Sequence, residues 1–334
     1  MTTRKDIENA LMRGADTLRD TIDAANYKDY VLPVMFLKYL SDSYADAVEA
    51  LSKQYSGIRL ERQKKYLPFM VAEGCSFYDL YKQRFADNIG QLINAAMRQI
   101  EADNNQQLAG VLSSVDYNSE NALGTREHKN AILRDLLEDF EPLNLRPSVI
   151  EIKEGQVPAD VIGDAYEYMI GQFASMAGKK AGSFYTPAAV SEIMARIVNV
   201  QPGERVYDPT CGSGSLLIKA AKKQNSKEVS IYGQEVNGSS VAMAKMNMYI
   251  HEIRDAKIGW GDTLANPVFL DADGNLLLFD AIVANMPFSK DKWASGFNPG
   301  GESSGKGKKE FKMEASLDKF HRFDWGVPPA SKGD

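Results

Sequence analysis

Apolar residues recur at helical spacing through the first part of the chain. In YVLPVMFLKYLSDSYADAVEAL, residues 30–51, apolar side chains fall three or four positions apart. Pro33 stands near the start of this run, where a helix tolerates proline best. The segment QLINAAMRQIEA, residues 91–102, repeats the spacing. The pattern predicts an all-α N-terminal domain over residues 1–145.

The pattern changes beyond FEPLNLRPSVIEIKEGQVP, a segment with three prolines that suggests a domain boundary. Short apolar, strand-like runs such as RVYD, VSIYGQEV, AKIGWGD and FDAIVAN then alternate with helical ones. Such alternation predicts βαβ units and a mainly parallel sheet, which binds ligands at the carboxyl ends of its strands. We therefore expect an α/β chain in which the helical domain is followed by a Rossmann-like domain over residues 156–334.

Composition narrows the class of protein. The 334 residues are 44% hydrophobic and 25% charged, an ordinary globular balance, and the N-terminus lacks the apolar core of a signal peptide. The apolar run near the front is broken by Lys38 and is too short to span a bilayer, so we expect a cytoplasmic protein with no membrane segment. Two cysteines and three scattered histidines provide no disulfide framework and no metal-ligand spacing.

The net charge of −6 argues against a protein that holds nucleic acid through a large basic face of its own. This net charge does not exclude a nucleic-acid enzyme whose partner subunit provides most of the nucleic-acid binding. The Gly/Ser/Lys-rich stretch NPGGESSGKGKKEFK, residues 298–312, is expected to be a loop that either touches phosphate or is simply solvated.

The stretch VYDPTCGSGSLL, residues 206–217, predicts a strand, a glycine turn and then a helix from about Ser213. Gly212 and Gly214 permit close backbone approach, but the third glycine position of the dinucleotide fingerprint holds Leu217. Asp208 precedes the glycines, and a carboxylate there repels a pyrophosphate and attracts an ammonium group. S-adenosylmethionine, which has an α-amino group and no phosphate, fits this turn better than a nicotinamide dinucleotide. A nicotinamide oxidoreductase is therefore disfavoured.

Polar residues also follow the next three predicted strands. Glu235 ends the second strand, where an acid can accept hydrogen bonds from both hydroxyls of a ribose. Asp262 follows the third strand and can accept from the 6-amino group of an adenine. Asn285 follows the fourth. Because parallel strands end at one edge of their sheet, these side chains are expected to face a common site.

The segment GSFYTPAAVSEIMARIV, residues 182–198, supports two interpretations. Thr186 and Pro187 suit the N-cap and first position of a helix, so the segment can be simply a well-capped helix. Alternatively, the N-terminal end of this helix closes over the methionine end of the cofactor.

The motif DPTCGSG together with NMPF, residues 285–288, resembles the amino-methyltransferases that methylate N6 of adenine in DNA. The upstream FYTP and the helical segment IDAANYKDYVLPVMFLKYLSD narrow the resemblance to the modification (M) subunit of type I restriction–modification systems. The resemblance extends from about Asp6 to Asp334.

The resemblance implies a set of site residues. The methionine part of the cofactor should contact Thr186, Asp208 and the backbone of the glycine turn, while Glu235 holds the ribose and Asp262 the adenine. The implied cofactor-binding residues are Tyr185, Thr186, Asp208, Thr210, Gly212, Gly214, Glu235 and Asp262, and the implied catalytic residues are Asn285, Met286, Pro287 and Phe288. Asn285 and the carbonyl of residue 286 would accept from the target amine, and Phe288 would stack on the adenine after it flips out of the duplex.

The resemblance also implies partners: double-stranded DNA, a specificity (S) subunit that reads the sequence, and a second M subunit in the assembled complex. It leaves open whether a restriction (R) subunit joins.

The chain departs from the family pattern at two points. Met286 stands where the family usually has proline, although Pro287 still restrains the backbone of the residue before it. Family members also continue beyond Asp334, so the domain is expected to be truncated at its C-terminal end. The alternative to an active methyltransferase is then a catalytically inactive M subunit that binds S-adenosylmethionine and partner subunits.

Overall fold

The chain forms two compact units. A computed structural model describes the residues in the ranges 1–177, 185–222, 228–287 and 314–328, together with Trp293 and Phe297. One unit consists of residues 1–181 and 242–254, and the other of residues 182–241 and 255–334. Within the described ranges, every helix is too short or too polar to cross a membrane. The predicted domain boundaries, 1–145 and 156–334, stay a prediction.

The first unit is helical. Its helices up to residue 177 are α1 (Arg4–Thr17), α2 (Tyr27–Ser52), α3 (Gly57–Lys64), α4 (Phe77–Lys82), α5 (Ile89–Asp103), α6 (Asn105–Leu108), α7 (Glu120–Leu123), α8 (Arg126–Phe140) and α9 (Pro158–Ala177). The N-terminal half of α2 is buried almost throughout, with Pro33 inside the helix, so α2 forms the centre of this unit. The proline-bearing segment packs within the same unit, since Thr2 N–H donates to the carbonyl of Val149 at 2.8 Å.

A buried ion pair lies inside this helical unit. The Nζ atom of Lys38 donates to both carboxylate oxygens of Asp42, one turn further along α2, at 3.0 and 2.9 Å. Neither side chain is accessible to solvent. Asp42 also accepts from the hydroxyl of Tyr78 and from the backbone N–H of Leu145. One carboxylate therefore connects α2, α4 and the segment that follows α8.

The second unit is built on a four-stranded parallel sheet. Its strands are β1 (Arg205–Asp208), β2 (Ser230–Glu235), β3 (Lys257–Trp260) and β4 (Ala281–Ile282), in the order β3-β2-β1-β4. Val206 is opposite Ile231 in β2 and opposite Ala281 in β4. The change of direction in strand order at β1 places a crevice at the carboxyl ends of the strands, where such sheets bind ligands.

Helices and aromatic rings pack against this sheet. Helix α11 (Ser215–Lys222) packs against β1 and β2, and helix α10 (Ala188–Val198) packs against α11. Tyr207 of β1 stacks on Phe279, with ring centroids 4.4 Å apart. Helix α12 (Gly238–Ile250) connects β2 to β3. The predicted fold class, a helical part followed by an α/β part with a parallel sheet, is confirmed.

Candidate functional site

The carboxyl ends of the strands surround a cavity of about 730 Å³ within the second unit. Asp208 and Glu235 are the last residues of β1 and β2, whereas Asp262 and Asn285 lie just beyond β3 and β4. Ten of the residues singled out from the sequence line this cavity: Tyr185, Thr186, Asp208, Thr210, Gly212, Glu235, Asp262, Asn285, Met286 and Pro287. Phe288 lies outside the described residues, as does the Lys-rich stretch 298–312.

The turn after β1 is held by hydrogen bonds to the two buried acids. Thr210 N–H donates to Asp208 Oδ1 at 2.9 Å, and Gly212 N–H donates to Glu235 Oε2 at 3.1 Å. Gly212 has φ +51°, a conformation that favours glycine. Because its N–H already binds a carboxylate, this turn is unsuited to a pyrophosphate.

Gly214 has φ +75° and donates to the carbonyl of Cys211 at 2.7 Å, but it is not part of the cavity wall. Its place is in the turn that begins α11. The helix starts at Ser215, two residues later than the sequence suggests, because residues 211–214 form this turn.

The two acids make the cavity floor electronegative. Asp208 is 2% exposed and Glu235 6% exposed. Burial raises the pKa of Asp208 to about 7; the Thr210 N–H opposes this shift, and the neighbouring Glu235 charge adds to it. Among the described side chains, no Lys or Arg forms an ion pair with either carboxylate. A cationic group bound here would therefore meet an anionic site with no competing protein cation.

Backbone N–H groups also orient the carboxylates of Glu235 and Asp262 in the cavity wall. Glu235 Oε1 accepts from Asn237 N–H at 2.8 Å, so both oxygens of this carboxylate are fixed in direction. Asp262 Oδ1 accepts from the N–H groups of Leu264 and Ala265 at 2.9 and 3.2 Å. These contacts orient each carboxylate, and a carboxylate oxygen retains further acceptor capacity for ligand hydroxyl or amino groups.

The start of α10 differs from the prediction that Thr186 caps it. The helix begins at Ala188, Pro187 occupies the N-cap position, and no side chain forms a capping hydrogen bond. The hydroxyl of Thr186 instead accepts a hydrogen bond from Asn285 Nδ2 at 3.1 Å. The side chain of Met286 is 60% exposed, so a side chain larger than that of proline fits here without crowding its neighbours.

Comparison with known proteins places the chain in a family. The family model described as N-6 DNA Methylase matches residues 157–333, slightly more than half of the chain. The chain belongs to the N-6 DNA methylase family. A second family model, the HsdM N-terminal domain, matches residues 7–140.

The relatives of this chain include type I restriction enzyme methylase subunits. It is 30% identical to the MjaVIII methylase subunit of Methanocaldococcus jannaschii over 84% of this chain and 47% of that one. It is 29% identical to the MpnII methylase subunit of Mycoplasma pneumoniae over 86% of this chain and 58% of that one. The chain thus spans about half the length of these curated relatives.

A solved structure shares the fold of this chain. The type I restriction–modification methyltransferase subunit of Streptococcus thermophilus superposes with a TM-score of 0.70 at 30% identity, covering 90% of this chain and 67% of that one. The resemblance to type I M subunits that the sequence motifs suggested is therefore confirmed.

Sequence reasoning missed an aromatic part of the cavity wall. Trp293 and Phe323 both line the cavity, with ring centroids 5.5 Å apart, and Phe297 packs against the pair. Arg322 secures this C-terminal segment by donating to the carbonyls of Thr263 and Leu264. Neither aromatic residue belongs to a periodic run, so only the richness of the tail in aromatic residues could have indicated them.

The described residues contain no group of three His, Cys, Asp or Glu side chains suited to a metal ion.

Proposed function

We propose that this chain is the modification subunit of a type I restriction–modification system and transfers a methyl group from S-adenosylmethionine to N6 of an adenine in DNA. The observation that carries the proposal is the convergence of Asp208, Glu235, Asp262 and Asn285 on one cavity at the strand ends. The proposal rests also on membership of the N-6 DNA methylase family.

The donor set of the cavity fits this cofactor. The buried Asp208 lacks a cationic partner among the described residues, and an α-ammonium group would supply one. Glu235 would accept from the ribose hydroxyls, and Asp262 from the adenine amine. Tyr185, Thr186, Thr210 and the backbone at Gly212 would complete the contacts from the cavity wall. A volume of about 730 Å³ lies within the usual range for ligand sites.

S-adenosylmethionine supplies a methyl group bonded to a positively charged sulfur. The chain's task is to orient the N6 amine of a flipped adenine toward that methyl group. Asn285 Oδ1 and the carbonyl of Met286 would accept hydrogen bonds from the two N6–H groups. These hydrogen bonds would turn the nitrogen lone pair toward the methyl carbon. As the new N–C bond forms, the C–S bond breaks with its electron pair on sulfur, and one N6 proton leaves to solvent.

Pro287 contributes through the backbone. A residue that precedes proline is restricted to extended or polyproline geometry, so the direction of the Met286 carbonyl stays constrained. Phe288 is proposed to stack on the flipped base. Trp293 and Phe323 add apolar wall to the same cavity.

The proposed assembly contains double-stranded DNA, a specificity subunit that reads the sequence and a second modification subunit, with a restriction subunit as a further candidate. The proposed location is the cytoplasm, because the proposed substrate is the DNA of the cell. The acidic net charge of −6 agrees with a division of labour in which another subunit supplies most of the DNA grip.

The test is methyl transfer from tritiated S-adenosylmethionine to DNA, with the specificity subunit present. We expect label at N6 of adenine. Cofactor binding measured by calorimetry, combined with no transfer in the presence of the specificity subunit, would instead identify the chain as a binding subunit without catalytic activity.

A further inference from the structure

Thr186 and Asn285, which both line the cavity, are joined by a side-chain hydrogen bond. Asn285 Nδ2 donates to Thr186 Oγ1 at 3.1 Å, although 99 residues separate the two in sequence. We propose that Thr186 is a positioning residue that sets which end of the Asn285 amide faces the target amine. This inference rests on the proposed function and assigns Thr186 a role beyond holding the cofactor.

The planarity of the amide explains why one contact is sufficient. The Oδ1 and Nδ2 atoms of asparagine lie at opposite ends of a rigid group, so fixing Nδ2 on Thr186 fixes Oδ1 in the other direction. In this orientation Asn285 presents an acceptor to an amine. The flipped amide would present N–H groups to the N–H groups of the target, and the amine would lose its acceptor.

The hydroxyl of Thr186 can select one orientation only when its own proton is engaged. A free hydroxyl can donate or accept, and would tolerate either orientation of the amide. When the Thr186 hydroxyl donates its hydrogen bond to a ligand carboxylate, only the lone pairs of the hydroxyl oxygen face Asn285. Asn285 must then donate to this oxygen through Nδ2. Thr186 thereby connects occupation of the methionine end of the cavity to the orientation of the catalytic amide.

Local geometry keeps Thr186 available for this contact. Helix α10 begins at Ala188 without a side-chain cap, so the Thr186 hydroxyl does not serve the helix. Pro187 follows Thr186, and Pro287 follows Met286, so both backbones beside the contact are restricted by a proline. The two side chains therefore meet from segments with little backbone freedom.

The kinetic test compares Thr186→Val with Thr186→Ser in the full chain, with the specificity subunit and DNA present. Valine keeps the size of threonine and removes the hydroxyl, whereas serine keeps the hydroxyl. At saturating cofactor we expect kcat to fall about three- to tenfold in Thr186→Val, the loss of one neutral hydrogen bond, and to stay within about twofold in Thr186→Ser. A role confined to cofactor contact predicts a raised cofactor KM with unchanged kcat, and that result would overturn the inference.

A second readout does not depend on methyl transfer. With 15N-asparagine labelling and Asn285→Ala to assign the peak pair, one Nδ2 proton should show hydrogen-bond protection on addition of S-adenosylhomocysteine in wild type and in Thr186→Ser. The protection should be absent in Thr186→Val, and equal protection in all three would refute the contact. A wild-type chain that transfers no methyl group overturns the proposed function, whereas an active wild type with an equally active Thr186→Val overturns the inference alone.

Discussion

The carboxylate of Glu235 accepts a hydrogen bond from the backbone N–H of Gly212 at 3.1 Å. This contact ties the last residue of β2 to the turn that follows β1 and occupies the N–H that a phosphate would need. An acid at the end of the second strand therefore shapes the turn after the first strand as well as the cavity wall.

Replacement of Glu235 by glutamine should weaken cofactor binding. The amide retains one acceptor oxygen but puts an NH2 group opposite either Gly212 N–H or Asn237 N–H. Loss of a charged hydrogen bond is worth about 1.5–3 kcal/mol, so the Kd for S-adenosylmethionine should rise about ten- to a hundredfold. Calorimetry measures the change. The exposed Glu228 is the matched control, and Glu228→Gln should bind like wild type.

Cofactor affinity should increase with pH up to about pH 7. Burial raises the pKa of Asp208 to about 7, so below that pH the cofactor-free protein holds a proton on this carboxyl. A bound ammonium favours the ionised form, and binding must then release the proton. We expect affinity to fall by up to about tenfold per pH unit below pH 7.

Calorimetry in two buffers of different ionisation enthalpy measures this proton release directly. Proton release near pH 6 is the expected result, because Asp208 is then largely protonated in the cofactor-free protein. Near pH 8 this release should be absent, and the α-amino group of free S-adenosylmethionine, with a pKa of about 8, should take up a proton instead. The variant Asp208→Asn should bind the cofactor weakly at both pH values, and its affinity should not change with pH below pH 7. Equal proton release by wild type and Asp208→Asn would assign the titration to another group.

Asn285→Ala should abolish methylation while cofactor affinity stays within about twofold of wild type. The side chain is proposed to contact the target amine, and the acids that would hold the cofactor lie at the ends of the other strands. Label transfer to DNA and calorimetry measure the two properties in parallel. Asn275, exposed and outside the cavity, provides the matched control Asn275→Ala, which should remain active. A large loss of cofactor affinity in Asn285→Ala would contradict the assigned role.

Changes at Met286 should have small effects. The proposed contact from this residue is its carbonyl, and its side chain is 60% exposed. Met286→Ala should keep kcat within about twofold. Met286→Pro adds about 0.4–1 kcal/mol of chain stiffening, which corresponds to a rate gain of no more than about fivefold. A much larger effect of either substitution on kcat would mean that the side chain itself contributes to catalysis.

Asp42→Ala should destabilise the helical unit strongly. The substitution leaves Lys38 charged and buried without its partner, and removes the acceptor of Tyr78 and Leu145. Breaking a buried pair in this way costs about 3–5 kcal/mol of unfolding free energy. Urea denaturation measures it. Asp135→Ala, at an exposed pair with Arg134, should cost less than about 1 kcal/mol, and similar losses in both variants would refute the argument.

The sequence predicted the strand-end residues because their positions follow from local patterns. Asp208 and Glu235 end apolar runs that alternate with helical runs, and parallel strands bring such ends to one edge. The cavity residues that were missed, Trp293 and Phe323, belong to a segment without periodicity, whose position depends on long-range contacts such as those of Arg322.

Local chemistry misled at two points, one decided by a tertiary contact and the other by the geometry of a turn. Thr186 is a favourable N-cap residue in isolation, but its hydroxyl binds Asn285 from a distant segment and the helix starts without a side-chain cap. Glycine turns begin helices at various offsets, and α11 starts at Ser215 because Gly214 closes a turn on Cys211. Sequence spacing carries no information about a partner 99 residues away.

Because the buried acids Asp208 and Glu235 lack a protein cation beside them among the described residues, the free energy of unfolding should depend on whether the cofactor is bound. Without a cation opposite it, Asp208 is protonated in the folded protein between about pH 4 and pH 7 and ionised in the unfolded chain, so the free energy of unfolding falls as pH rises through that window. At neutral pH the contribution of this carboxyl to the stability of the cofactor-free protein is therefore largely lost, and ligand binding stabilises the folded form by mass action. The lifetime of such a protein in a cell would follow the supply of its methyl donor, because the unliganded chain would be the form that proteases degrade.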